Sequence, residues 1–219
     1  MFVHEDGYVS LSSTGYIAFI LLLLAVVAAI GFFRKTNTTK HFQTKQLVFS
    51  ALSLALAFVL SYIQPYKLPW GGSVTLCSML FICLIGYWYG LKAGLATAFA
   101  YSILQFLQGG GSYILTPLQA CLDYFFAFTA LGFSGLFYQK KNGLIKGYIL
   151  GVFLRGLFHT LGGYLYWMEY MPENFPASLT LLYPIIYNYS YLLIEGAATI
   201  LLLSLPPVKS ALKQIQKTI

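Results

Sequence analysis

The chain has 219 residues, of which 58% are hydrophobic and only 9% charged, and it carries a net charge of +7. A soluble domain is typically about 25% charged, so this chain could not cover itself with polar surface in water, whereas in lipid its apolar side chains face apolar tails. The basic charge does not read as a nucleic-acid footprint, because Lys and Arg are spread over loops between apolar runs instead of forming one patch.

The first apolar run, Tyr16 to Phe33, is uncharged and ends at Arg34-Lys35. A cleaved signal peptide would begin with a basic region. Here Glu5 and Asp6 come first and the bases last, so the run reads as a membrane span. The second run is Leu47 to Ile63, stopped by Gln64-Pro65. The third is Val74 to Tyr87, and the fourth is Ala93 to Leu107, closed by Gly109-Gly110-Gly111. The fifth is Ile114 to Tyr138, the sixth Leu144 to Trp167, and the seventh Leu181 to Leu205, ahead of Pro206-Pro207. Gly86, Gly90 and Gly94 sit near the junction of the short third and fourth runs, where small residues let helices approach closely. Cys77, Cys83 and Cys121 fit no zinc spacing and read as small packing residues. The expectation is an all-α integral membrane protein of seven transmembrane helices.

Charge orients the bundle. Arg34, Lys35, Lys40, Lys45, Lys92, Lys140, Lys141, Lys146, Lys209, Lys213 and Lys217 all fall on one side, which is eleven of the 13 Lys and Arg. Lys67 alone lies in an opposite loop, and Arg155 lies inside a span. The positive-inside rule makes the basic side cytoplasmic, with the N-terminus extracellular and the C-terminus cytoplasmic. Glu5, Asp6, Glu169 and Glu173 all fall on the other side. There is no Walker motif, so active transport would draw on a partner or an ion gradient.

Ionisable groups inside a span cost roughly 3 kcal/mol each and are functional suspects for that reason. There are four: Asp123, Arg155, His159 and Glu195. Asp123 lies about 14 Å deep by helical counting. It reads as a seat for a cation or as an ion pair with Arg155. His159 shares a helix face with Arg155, four residues away. It reads as a ligand contact or as a hydrogen-bonded helix contact. Glu195 reads as the structural partner of Arg155 or as a proton-coupling carboxylate. The facing halves of the last two spans add Tyr164, Trp167, Tyr183, Tyr187 and Asn188. Interfacial belts explain some of the rings but not the amide of Asn188. An anion, an imidazole, an amide and many ring faces suit a flat, cationic, nitrogen-rich ligand.

Three blocks now carry a resemblance. They are Gly71-Gly-Ser-Val-Thr-Leu76 with Gly86-Tyr-Trp-Tyr-Gly-Leu-Lys-Ala-Gly94, then Tyr113 to Tyr124, and then His159 and Trp167 with Tyr183-Pro-Ile-Ile-Tyr-Asn188. Together they resemble the thiamine-specific S-component (ThiT/YuaJ) family of energy-coupling factor (ECF) transporters. The resemblance implies a six-helix S-component core over 46–206. It leaves one extra N-terminal transmembrane helix within 1–45 and a basic cytoplasmic tail at 207–219. It implies high-affinity thiamine binding near the extracellular face of a bacterial cell membrane. Import would be powered by a coupling protein and two ATPase subunits, with ATP used only by those partners and no cofactor, metal or catalytic residue in this chain. Asp123 would face the thiazolium cation, although some relatives carry Glu there. His159, Tyr183 and Asn188 would hydrogen-bond the ligand, and Trp167 and Tyr113 would wall its rings. Gln119 would orient Asp123, and Trp70 would close over the site. Ala51 and Ala55, on the second span, would dock the coupling protein, where the plainer reading is helix packing.

Other classes stay open at this stage. One is an S-component for another vitamin or a thiamine precursor, and another is an ion-coupled carrier using Glu195 and Asp123. A membrane enzyme finds no support, since the sequence has no nucleophile–base pair, metal cluster or HExxH pattern.

Overall fold

In the computed structural model the described residues are 3–5, 9–11, 44–68, 72–109 and 116–219. The first expected span, Tyr16 to Phe33, lies outside them. Near the N-terminus, β1 (Val3–Glu5) and β2 (Val9–Leu11) pair antiparallel. The other six apolar runs each coincide with a helix. These are α1 (Thr44–Ser61), α2 (Ser78–Tyr89), α3 (Leu91–Gln108), α4 (Pro117–Phe137), α5 (Gly143–Tyr170) and α6 (Ala177–Ser204). A further helix, α7 (Pro206–Thr218), follows at once.

The helices α1, α4, α5 and α6 are long and apolar enough to cross a membrane. By contrast α2 has 12 residues, nine of them buried. A helix that is apolar all round must be enclosed, and α1, α3, α4 and α5 surround it. The outer helices turn large apolar residues outward, among them Leu47, Leu52 and Val59 on α1 and Leu193, Ile194 and Leu201 on α6. In water such a belt would be an aggregation surface; in lipid it is solvated. The chain is a multi-pass integral membrane protein.

Glycines set the closest approaches. A Cβ added to Gly94 would lie 2.7 Å from the Gly132 carbonyl oxygen and 2.8 Å from Gly86 Cα. One added to Gly132 would lie 2.6 Å from Leu95 Cα. No side chain fits there, so α2, α3 and α4 meet backbone to backbone, as expected from Gly86 and Gly94. Gly90 turns the chain from α2 into α3 with φ of 87°, a conformation glycine adopts without strain. Cys83 is buried in the core beside this seam, and its Sγ reaches the Leu131 carbonyl at 3.6 Å.

One boundary differs from expectation. The third run was expected to become helical at Val74, but Val74 belongs to a strand and α2 begins at Ser78. The strands β3 (Tyr66–Lys67) and β4 (Ser73–Val74) form a hairpin, with Tyr66 opposite Val74. Cys77, at φ 55°, then breaks the path into α2. Apolar content alone does not separate a short strand from a first helical turn.

The basic tail is helical. Val208, Leu212, Ile215 and Ile219 pack against the core, while Lys209, Lys213 and Lys217 stay exposed. Lys45 Nζ donates to the Thr218 carbonyl at 2.9 Å, placing a cation at the negative end of α7. Two ends of the bundle result. The start of α1, the α2–α3 turn, the α4–α5 turn and α7 share the basic end, where the Gln139 N–H donates to the Tyr87 carbonyl at 3.2 Å. The hairpin, the last turn of α3 and the facing ends of α4, α5 and α6 form the other.

Candidate functional site

At this second end the helices leave a cavity of about 380 Å³. Its walls come from α1, the hairpin, α3, α4, α5 and α6.

Asp123 stands on α4. Thr116 caps that helix by accepting from the Gln119 N–H at 3.1 Å, and Pro117 opens it. The turn Cys121–Phe126 is then π-helical. Single π turns are rare and recur at functional sites. Asp123 Oδ2 accepts from Gln119 Nε2 at 2.6 Å and from Trp167 Nε1 at 3.1 Å. Trp167 itself ends a second π turn, Gly163–Trp167. The two non-α turns thus meet through one carboxylate.

His159 Nδ1 stands 3.5 Å from Asp123 Oδ1. Arg155 Nε donates to His159 Nε2 at 3.3 Å. A guanidinium only donates, so Nε2 is the accepting nitrogen. Nδ1 then carries the hydrogen toward Asp123, and the imidazole is neutral. The three donors around Asp123 are therefore all uncharged. The negative charge is hydrogen-bonded but not cancelled, which leaves it able to balance a cation in the cavity. Arg155 also lies 4.1 Å from the Phe128 ring centroid, and both line the cavity.

Asn188 joins α5 to α6. Its Nδ2 donates to the Pro184 carbonyl at 2.8 Å and to the His159 carbonyl at 3.2 Å, and its Oδ1 accepts from Tyr191 OH at 3.2 Å. Tyr183 is buried, with its ring 5.7 Å from Tyr187 and 5.1 Å from Phe175. Gly162 and Gly163 permit these approaches. A Cβ at Gly162 would lie 2.5 Å from Asp123 Oδ1, and one at Gly163 would lie 2.8 Å from Pro184 Cβ.

Of the residues singled out from sequence, Asp123, Gln119, His159, Trp167, Tyr183 and Asn188 line this one cavity. Trp70 and Tyr113 lie outside the described residues. Ala51 and Ala55 are on α1, away from the cavity, and both are exposed. No packing among the described residues covers them. The ion pairs weighed for Arg155 are not formed. Among the described residues no Lys or Arg nitrogen lies within ion-pair distance of a carboxylate. Glu195 Oε2 instead accepts from the Thr75 N–H at 2.8 Å and from Thr75 Oγ1 at 2.7 Å. Arg155 and Glu195 sit at similar depth on neighbouring helices but spend their hydrogen bonds on different partners.

The sequence reading missed several wall residues. Gln105 Nε2 donates to Ser61 Oγ at 3.0 Å and to Gln108 Oε1 at 2.7 Å, making a neutral polar group on α1 and α3. Three amphipathic side chains near helix ends gave no signal that they face inward. Tyr191 is another wall residue, buried at 4% exposure.

Comparison with known proteins gives one answer. The family model described as thiamine transporter protein (Thia_YuaJ) matches residues 47–215, from the first turn of α1 into α7. The thiamine transporter ThiT of Bacillus subtilis is 31% identical over 168 residues, covering 68% of this chain and 85% of that protein. ThiT of Lacticaseibacillus paracasei is 28% identical over 151 residues, covering 60% of this chain and 74% of that protein. The solved structure of ThiT from Listeria monocytogenes superposes with a TM-score of 0.60 at 27% identity, over 74% of this chain and 94% of that one. With the family model, the sequence relatives and the solved structure in agreement, the chain belongs to the thiamine transporter protein family.

Proposed function

We propose that this chain is the thiamine-binding membrane subunit of an ECF-type uptake transporter. The observation that carries the reading is Asp123: an uncancelled carboxylate inside a span, held by Gln119, Trp167 and His159 at the wall of a ring-lined cavity. Thiamine is flat, aromatic and cationic at its thiazolium, so it complements charge, rings and amides together. Asp123 balances the cation, and Trp167 and Tyr183 wall the rings. His159 and Asn188 offer polar atoms, and Gln119 fixes the carboxylate. Trp70 and Tyr113 complete the enclosure.

The cavity lies at the end opposite all the described lysines except Lys67, which stands in its wall, and the positive-inside rule supports reading that end as extracellular. A separate module of one coupling protein and two ATPases supplies the energy, docking on Ala51 and Ala55. Their exposure on α1 supports this.

Purified protein titrated with thiamine, without nucleotide, should bind tightly and lose tryptophan fluorescence as Trp167 contacts the ligand. Micromolar thiamine that moves neither fluorescence nor melting temperature would sink the reading. Competition with hydroxymethylpyrimidine and riboflavin tests ligand choice: either one displacing thiamine at lower concentration makes it the ligand instead.

A further inference from the structure

Glu195 is the remaining carboxylate within the spans, and it lies apart from the Asp123 group. It is 2% exposed in the middle of α6. Burying a carboxylate at that depth is costly, so its contacts should show what retains it. Oε2 accepts two hydrogen bonds from one residue, Thr75, through its backbone N–H and its hydroxyl. The Met79 N–H, in the first turn of α2, also acts on the carboxylate. The Thr75 hydroxyl in turn lies 2.6 Å from Ser78 Oγ. With the Thr75 hydrogen directed to the carboxylate, Ser78 is the donor to Thr75.

Thr75 follows β4 directly, and the hairpin end contributes Lys67, Gly72, Ser73 and Thr75 to the cavity wall. A second contact falls one turn earlier on the same face of α6. A Cβ at Gly72 would lie 2.5 Å from the Tyr191 ring, so the hairpin backbone rests directly on that ring. Tyr191 OH reaches Asn188. One stripe of α6, Asn188–Tyr191–Glu195, therefore presents a site amide, a seat for the hairpin and a tether for the hairpin. A two-stranded ribbon of two residues per strand is not stable by itself; something outside it must fix its place.

We propose that Glu195 is a positioning residue that tethers the β3–β4 hairpin to α6 and so sets one wall of the ligand cavity. The part concerning ligand release rests on the thiamine-binding reading; the part concerning the hairpin does not.

The test is hydrogen–deuterium exchange on the full chain in detergent, with thiamine dissociation measured in parallel. The variants are Glu195→Leu, which keeps bulk and removes the acceptor, and Glu195→Gln, which keeps an acceptor oxygen for Thr75. In Glu195→Leu, exchange over residues 66–68 and 72–76 should rise about tenfold or more, the scale of a lost charge-assisted hydrogen bond. Exchange in α5, in α6 and in α2 beyond its first turn should stay as in the parent. Thiamine should leave about tenfold faster, with its association rate little changed. Glu195→Gln should restore most of both properties. Unchanged hairpin exchange in Glu195→Leu overturns the proposal. Faster exchange throughout the bundle, with no rescue by Glu195→Gln, overturns it too, by making Glu195 a folding element. If Glu195→Leu does not assemble, Thr75→Val removes one of the two bonds, and the same local rise, smaller in size, is expected; its absence counts against the tether. If the parent protein binds no thiamine while the hairpin still loosens, the functional reading fails and the tether stands.

Discussion

Asp123 shows how a charge can be held without being spent. Its donors are an amide, an indole and a neutral imidazole, so the position tolerates a carboxylate and still offers its charge. Asp123→Asn keeps the shape and removes the charge. Thiamine affinity should fall about ten- to a hundredfold, the worth of a charge-assisted contact of about 1.5–3 kcal/mol, as read by calorimetric titration. Unchanged affinity would make Asp123 structural. Arg155 gives the opposite lesson. Were it paired with Glu195, its loss would leave a buried charge and cost stability. It instead holds His159 and covers the Phe128 ring. Arg155→Met should thus lower affinity about fivefold through a misoriented imidazole, at a cost of about 1 kcal/mol, while the melting temperature changes little. A large fall in melting temperature with intact affinity would contradict this.

At the scale of the element, apolar runs located six helices to within a few residues, because hydropathy over about 20 residues is set by the bilayer. Helical counting put His159 on the face of Arg155, the resemblance put Gln119 against Asp123, and both contacts are present. Three features were not legible. The β3–β4 hairpin fell between two apolar runs, with only Val74 inside one, and two-residue strands leave no period. The π turns at Cys121–Phe126 and Gly163–Trp167 leave no compositional mark. Depth counting paired Arg155 with Glu195, because depth along an axis says nothing about angle around it. The exposed alanines of α1 carry a separate prediction. Enlarging both, Ala51→Leu with Ala55→Leu, should leave thiamine binding intact and abolish uptake in cells supplying an ECF module. Uptake at the parent rate would remove them from the docking surface.

For the whole molecule, orientation and site location are one question. The basic end gathers Lys45, Lys92, Lys140, Lys146 and the α7 lysines, and the cavity occupies the other end. A C-terminal green fluorescent protein fusion should fluoresce, and a C-terminal alkaline phosphatase fusion should be inactive, as expected of a cytoplasmic tail. The reverse pattern would turn the cavity inward and remove the case for a scavenging receptor. Much of this layout was readable in advance, since charge placement survives any error in helix boundaries. The identity of the ligand was not readable from composition; it came from the spacing of a few residues and from the family.

The two π turns have a consequence for register. A π turn holds one residue more than the α-helical path it replaces. Closing up either turn by deleting a single residue would leave a good helix and an undisturbed hydropathy profile. The flanking segments would keep their register, because the turn would close onto the α-helical path, but side chains within the turn would be re-aimed by up to about 100°. On α4 that turn carries Asp123, which would swing off Gln119 and the cavity. On α5 it carries Trp167, which would swing off the carboxylate. The site is thus built like a combination lock, in which the two dials are chain length within a helix, and loss of one residue could erase the ligand seat while leaving the bundle whole.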